Sequence, residues 1–337
     1  GSFVVRFKMP VVGISELDDM VRGHLEFENS LSDDFIILKS DGYPTYHLAS
    51  VVDDHYMDIS HVLRGEEWVS SVPRHVQLYL ALEWEMPVFA HLPTILAPDK
   101  SKLSKRHGAT SVLEYKKAGY LPEAMFNFLS LLGWSLDGDT EIISKEDLVS
   151  KFDPSRISSA SAIFDIEKLN WMNGHYIRSM SSLELSQKLE SYWKEFPPEI
   201  FDRNPSSSEV DKISRLVQER IKVLSEASDL VAFVFKNEII YDPKELIQKQ
   251  MDAESTTRIL ERVDELVSKI ETFSSSAIEV ALRALADSMD VKVGTLLGTI
   301  RVATSGQKVS PPLFDSLEVL GRNRVLELLH VAKSKLP

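Results

Sequence analysis

His61-Val62-Leu63-Arg64-Gly65-Glu66-Glu67-Trp68, followed by Ser71-Val72-Pro73 and a run to Trp84, decides the fold. The aliphatic residues ahead of Arg64 read as a short buried strand, and Ser71 as cap with Pro73 in the first turn opens a helix from Ser71 to Trp84. A strand that ends on a polar residue and feeds a helix places that residue at the carboxyl edge of a parallel sheet. Open α/β sheets bind their ligands at that edge. Arg64 is therefore expected to face a ligand, the alternative being a structural salt bridge with Glu66 or Glu67.

Working outward, Tyr46 to Met57 reads as a helix after Pro44-Thr45. The first 40 residues look like β structure, with Val4 to Lys8, His24 to Glu28 and Phe35 to Lys39 separated by Gly and Asp-Asp turns. Beyond Pro98 the pattern is helical. Ser111 to Ala118 closes on Gly119, Pro122 to Leu132 closes on Gly133, and Glu167 to Trp171 continues the trend. Asp202 to Ser208 reads as a polar linker. After it Val210, Ile213, Leu216, Val217, Ile221 and Leu224 keep helical spacing, as do Ile259, Leu260, Val263, Leu266, Val267 and Ile270. A loop at Thr304 to Pro312 precedes a closing helix, and no repeat recurs at a fixed period. The fold class is thus α/β followed by all-α.

The 337 residues contain no cysteine, which removes a disulfide framework, a cysteine-ligated zinc or iron–sulfur site and a thiol nucleophile. With 43% hydrophobic and 26% charged residues, low-complexity disorder is excluded as well. No apolar run reaches the roughly 18 to 20 residues a membrane span needs, so no membrane partner is expected. The cytosol, or an organelle matrix, is the expected compartment. A net charge of -13 argues against a nonspecific polyanion binder. Locally the balance reverses, since between Lys100 and Lys117 six basic residues stand against Glu114 alone. Neither G-x-G-x-x-G nor a Walker A motif occurs, which disfavours a kinase or a dinucleotide enzyme. His47, His55, His61, His75, His91 and His107 lack metal-ligand spacing and read as structural. Asp53 and Asp54 point about 100° apart on a helix, which favours capping or salt bridging over a shared cation. No protein metal site is expected.

Chemistry concentrates in Pro98-Asp-Lys-Ser-Lys-Leu-Ser-Lys-Arg-His-Gly108, where four cations fall within seven residues beside two serines. Such a loop can wrap a polyphosphate, or can simply be a solvated basic loop. Its order decides: Lys102-Leu103-Ser104-Lys105-Arg106 resembles the second signature of class I aminoacyl-tRNA synthetases, in the form ending Lys-Arg. Asp41-Gly-Tyr-Pro-Thr-Tyr-His-Leu-Ala49, Val51-Val-Asp-Asp-His55, the His61 to Trp68 stretch and Phe89-Ala-His-Leu-Pro93 follow the glutamyl-tRNA synthetase catalytic domain in order and spacing. Phe164 to Arg178 resembles that family's later helical region. The chain is identified as a member of the glutamyl-tRNA synthetases, in their bacterial or organellar form, because glutaminyl relatives end in β-barrels.

The resemblance implies roles residue by residue. Arg64 would meet the glutamate side-chain carboxylate, since a planar bidentate clamp selects a carboxylate over an amide. Tyr46 would wall the amino-acid pocket, its alternative being a core aromatic. Ser50 stands where family members often have Asn, which puts direct contact there in doubt. Glu67 and Trp68 would line the nucleotide side, with Lys102, Leu103, Ser104, Lys105 and Arg106 on ATP. Lys105 would stabilise the developing phosphate charge while Ser104 and Lys102 hold the loop closed. Mg2+ is implied by the polyphosphate. Arg220 would read the last anticodon base of tRNA(Glu), or be a solvated helix charge.

The first class I signature, His-Ile-Gly-His, does not occur in the sequence. Gly1-Ser2 reads as an expression scar, and an N-terminally truncated enzyme is expected, inactive by itself in ATP-dependent ligation of L-glutamate to tRNA. The alternative is a noncatalytic tRNA-binding fragment or truncated paralogue. The expected domains are 1–40, the end of an inserted acceptor-binding domain; 41–98, the second half of a Rossmann-type catalytic domain; 99–180, the signature loop and stem-contact helices; and 181–337, a helical anticodon-binding domain. A monomer is expected.

Overall fold

In the computed structural model, residues 2–104, 106 and 111–336 are described. The chain divides into two units, one of residues 1–108 and 125–166, the other of 109–124 and 167–337.

The first unit is built on a four-stranded sheet. Its strands are β2 (Ile14–Asp19), β3 (Gly23–Glu28), β5 (His61–Gly65) and β6 (Val88–Leu92), in the order β3-β2-β6-β5. β2 and β3 form an antiparallel hairpin, whereas β6 runs parallel to both β2 and β5. A separate antiparallel pair joins β1 (Val5–Phe7) to β4 (Phe35–Leu38). Helices α1 (Tyr46–Tyr56) and α2 (Val72–Ala81) pack through a core of Leu17, Val51, Val72, Val76, Leu78, Tyr79 and Phe89. A short 3-10 turn, Glu66–Ser71, separates β5 from α2, so the expected helix starts one residue late and stops three short of Trp84.

Two strand expectations need correction. The His61 strand is not buried: β5 is an edge strand of the sheet, and Leu63 is 51% exposed. β2 was invisible to a hydrophobic count because its inward residues are Ser15, Leu17 and Asp19, only one of them apolar. Alternation of burial is intact, but polarity hides it.

Beyond β6 the chain folds back on itself. Leu96 bridges both Lys102 and Ile163, Leu96 N–H donates to the Ala162 carbonyl at 2.9 Å, and Phe164 N–H returns to Leu96 at 2.8 Å. A small cluster of Trp134, Ile143 and Leu148 accompanies α5 (Lys145–Lys151).

The second unit is helical. It holds α3 (Val112–Lys117) and the start of α4 (Pro122–Ser130), which ends in the first unit. Then come α6 (Ile166–Ser179), α7 (Ser182–Glu195), α8 (Ser207–Val217), α9 (Leu224–Phe235), α10 (Ala253–Lys269), α11 (Ser275–Ser288), α12 (Val293–Ser305), α13 (Leu313–Leu320) and α14 (Arg322–Lys335). Two cores carry it, one around Leu185, Ile213, Val231 and Phe235, the other around Ile259, Val263, Leu282 and Ile300. The single periodic run from Val210 to Leu224 is two helices. α8 ends at Val217 and α9 starts at Leu224; Gln218, whose N–H still bonds the Ser214 carbonyl, donates through Nε2 to the carbonyls of Ile177 and Met180. Leu224 N–H then bonds the Gly119 carbonyl at 3.0 Å. Gly119 has φ of 89°, and a Cβ there would lie 2.6 Å from the backbone nitrogens of Leu224 and Ser225, so only glycine fits.

The polar stretch read as a linker is tied down. Asp202 accepts from Asn237 N–H at 2.7 Å, and Ser206 caps α8 in a reciprocal capping box with Glu209. Arg203 grips the same carboxylate at 2.6 and 3.0 Å. Those bonds from Arg203, with help from Ser206 and against partial burial, hold the Glu209 pKa down at about 2. A depressed carboxylate stabilises the fold above its unfolded pKa and loses that contribution as pH falls. Glu209→Gln should therefore cost on the order of 0.5 to 1 kcal/mol at pH 7, the scale of a partly exposed pair. The gap to wild type in thermal melts should narrow between about pH 5 and pH 2; a gap independent of pH would show that the ion pair contributes nothing.

Candidate active site

Arg64 stands one residue from the carboxyl end of β5 and directly beside His91 in the parallel register. Its Nε–H donates to Nε2 of His91 at 3.0 Å, and Nη1 lies 3.5 Å from Nδ1 of His75 on α2. The remaining nitrogen, Nη2, is buried and has no hydrogen-bond partner. The guanidinium rests on Phe89, 5.0 Å from the ring centroid. Burial lowers the Arg64 pKa from its ordinary value, while Tyr46, Asp54 and Asp19 act in the opposite sense.

The salt-bridge alternative for Arg64 does not hold. Glu66 instead accepts from Thr94 N–H at 2.8 Å and pairs with Arg22, tying the segment after β5 to the segment after β6. Glu67 is exposed and makes no ion pair with Arg64. A half-buried cation held only by neutral acceptors is costly in an isolated fold. Here that arrangement sits at the carboxyl end of β5.

The acceptors are neutral for physical reasons. His75 is buried, and desolvation, reinforced by Arg64, His47, His91 and Arg74, pushes its pKa down to about 3. Burial also lowers His91, despite a hydrogen bond from its Nδ1–H to Asp19 at 2.6 Å. Asp19 is itself fully buried. Desolvation opposes its ionisation, but the His91 ring and the backbone N–H groups of Arg22, His91 and Val21 outweigh it and leave the pKa below the ordinary value. Sequence reading set these histidines aside as structural. They surround Arg64 instead, and no local signal could have shown it, because His91 reaches Arg64 only through the pairing of β5 with β6.

α1 brings Tyr46, Ser50 and Asp54 to one face at successive turns. Tyr46, 50% exposed, stacks on Trp68 with centroids 4.7 Å apart, so it is not a core aromatic. Ser50 is half-buried and hydrogen-bonds Asp54, whose pKa is raised by burial. Neither Asp53 nor Asp54 forms an ion pair among the described residues, which corrects the salt-bridge expectation; Asp54 instead faces toward Arg64 and Ser50.

The signature loop leaves β6 through a tight turn. Asp99 accepts from Ser101 N–H at 2.9 Å and from its hydroxyl at 2.7 Å, Lys100 has φ of 64°, and Leu103 N–H bonds the Ile95 carbonyl at 3.2 Å. Lys102, Ser104 and Arg106 are exposed and Leu103 is half-buried. Lys105 and His107 lie outside the described residues. Arg220 belongs to the second unit, exposed in the turn between α8 and α9 and not on a helix. Among the described residues one further cluster could hold a cation: Glu16, His24 and Glu26, all exposed on the β2–β3 hairpin.

Residues 1–171 match the family model described as tRNA synthetases class I (E and Q), catalytic domain, and residues 184–332 match an anticodon binding domain. A glutamate–tRNA ligase of Dehalococcoides mccartyi is 47% identical over 333 residues, covering 99% of this chain and 68% of that protein. The ligase of a Roseiflexus species is 43% identical over 342 residues, covering 99% and 67%. A crystal structure of a glutamate tRNA ligase from Elizabethkingia meningosepticum, in complex with its amino acid, superposes with a TM-score of 0.86 at 31% identity, covering 99% of this chain and 68% of that one. The chain thus spans about 68% of the length of these relatives. No helix among the described residues is long and apolar enough to cross a membrane.

Asp19→Asn keeps the shape of that side chain and removes its charge, leaving an amide N–H2 against a ring of donors. The expected loss is about 3 kcal/mol at pH 7. It should shrink below about pH 4, because the contribution of a depressed carboxylate disappears as the group protonates. Urea unfolding followed by tryptophan fluorescence reads it; a loss under about 0.5 kcal/mol, the range of an ordinary surface change, would remove Asp19 as the clamp.

Proposed function

The chain belongs to the class I glutamate–tRNA ligases, and from the geometry around Arg64 we propose that it carries the part of such an enzyme that reads the amino acid and holds one side of the nucleotide. The observation that supports this most directly is the half-buried Arg64 guanidinium, which has imidazole and Tyr46 partners, one buried unpartnered nitrogen and no ion pair with a carboxylate. A glutamate side chain would supply the missing charge. Tyr46 walls the pocket with Trp68 behind it, and Ser50 sits one turn further along α1.

In this reading, glutamate attacks the α-phosphate of ATP to give glutamyl-adenylate and pyrophosphate, and the terminal ribose hydroxyl of tRNA(Glu) then attacks the acyl carbon, forming the ester and releasing AMP. No protein nucleophile is needed. The work is positioning and charge stabilisation, assigned to Lys105 for developing phosphate charge, to Lys102, Leu103, Ser104 and Arg106 along the loop, and to Glu67 on the nucleotide side. Mg2+ enters with the polyphosphate and needs no dedicated protein ligand here. Arg220, exposed in a turn of the anticodon-binding unit, is free to meet a splayed base. Because the sequence has no His-Ile-Gly-His, we propose that this chain alone forms no adenylate and binds tRNA.

In a full-length ligase carrying this sequence, Arg64→Ala should raise KM for glutamate roughly 10- to 150-fold, the worth of a charge-assisted bidentate pair, and leave KM for ATP nearly unchanged. Pyrophosphate exchange measures both constants. If the two rise together, Arg64 supports the fold and does not read the substrate.

A further inference from the structure

The partners of Arg64 leave one edge of its guanidinium open. His91 occupies Nε at 3.0 Å, and its orientation is locked because Nδ1–H is committed to Asp19, so only the Nε2 lone pair can face the arginine. The opposite edge, Nη1 and Nη2, is held only by neutral groups: Nη1 has a long 3.5 Å contact with His75, the Tyr46 side chain also hydrogen-bonds the guanidinium, and Nη2 has no partner. That edge is what a carboxylate takes with two parallel bonds.

The weakness of the His75 contact follows from proton counting. His75 Nε2 and His47 Nδ1 are 3.0 Å apart, so one N–H lies between the two rings. Two neutral imidazoles have two protons and four nitrogens, which leaves a single lone pair for the two outer positions. Arg64 stands at one outer position and Arg74 at the other, 3.4 Å from His47 Nε2. Only one of the two arginines can be accepted at a time.

We propose that His91 and His75 are positioning residues for carboxylate selection: His91 aims the guanidinium, and His75 offers it a neutral, incompletely available acceptor, so that the positive charge is reserved for a ligand carboxylate. The inference rests on Arg64 being the glutamate-reading residue. A carboxylate in place of either ring would neutralise Arg64 within the protein and remove the reason to bind an acid and not its amide. Neutrality of His75 under burial is consistent with the role.

The test is an isosteric pair in the whole chain, His75→Asn and His75→Asp, since both place an oxygen near the position of Nδ1 and both lose the ring. Two readouts are taken at pH 7.5, the melting temperature and the affinity for L-glutamate by calorimetry, with Arg64→Ala alongside. The expected result is that His75→Asp melts higher than His75→Asn, because it pairs Arg64, yet binds glutamate at least tenfold more weakly. Folded variants with equal melts, or with equal glutamate affinities that Arg64→Ala abolishes, would overturn the proposal. If the melts differ as expected but wild type binds no glutamate, the neutral cradle stands and the glutamate reading of Arg64 falls. Should either variant not fold, 15N spectra of wild-type histidines decide: the proposal requires His91 as the Nδ1–H tautomer and His75 neutral, and any other pattern overturns it.

Discussion

A buried carboxylate that binds two strands at once organises the first unit. Asp19 ends β2, accepts the N–H groups of Val21 and Arg22 that turn the chain into β3, and accepts both the backbone and the ring of His91 on β6. The parallel contact between β2 and β6 has one registered pair, Asp19 with Phe89, so these side-chain bonds carry much of the join. A fully buried ion is tolerable only when its lone pairs are filled, and this one's partners are mostly backbone groups that cannot move away. The clamp fixes more than strand position. By accepting the Nδ1–H of His91 it dictates which nitrogen faces β5, and thereby which edge of Arg64 is occupied.

Charge around Arg64 is arranged by diversion. Three carboxylates lie in its surroundings and none makes an ion pair with it: Asp19 is committed to His91 and backbone, Glu66 to Arg22 and Thr94, and Asp54 hydrogen-bonds Ser50 while acting on Arg64 only through its charge. In a protein of net charge -13, an arginine lacking an acidic partner is not an accident of composition. Each diversion uses a geometric reason. Glu66 sits in the 3-10 turn after β5 and is pulled toward the post-β6 segment, whereas Asp54 is two turns down α1 from Tyr46 and meets a hydroxyl first. The same structure that holds the sheet edge together therefore keeps its cation unsatisfied.

Legibility in the sequence follows the range of the forces involved. In the second unit the runs from Val210 and from Ile259 were readable because their apolar faces repeat at helical spacing, whereas the capping boxes of Ser181 with Glu184 and Ser206 with Glu209 went unread, the second inside a stretch that reads as a linker. Periodicity does not show that the Val210 to Leu224 run is two helices, and the Gln218 side chain in the turn between them bonds carbonyls about forty residues away. In the first unit the decisive contacts are long-range. The place of Arg64 near the end of a strand was legible, but His91 and Asp19 are separated by 72 residues and β2 buries polar groups that no hydrophobic count rewards. Pairing partners across parallel strands are set by register, and register is a property of the assembled sheet. A residue's place at the end of a strand is thus legible from that strand alone, whereas its partners across the sheet are not, because they are neighbours supplied by another strand.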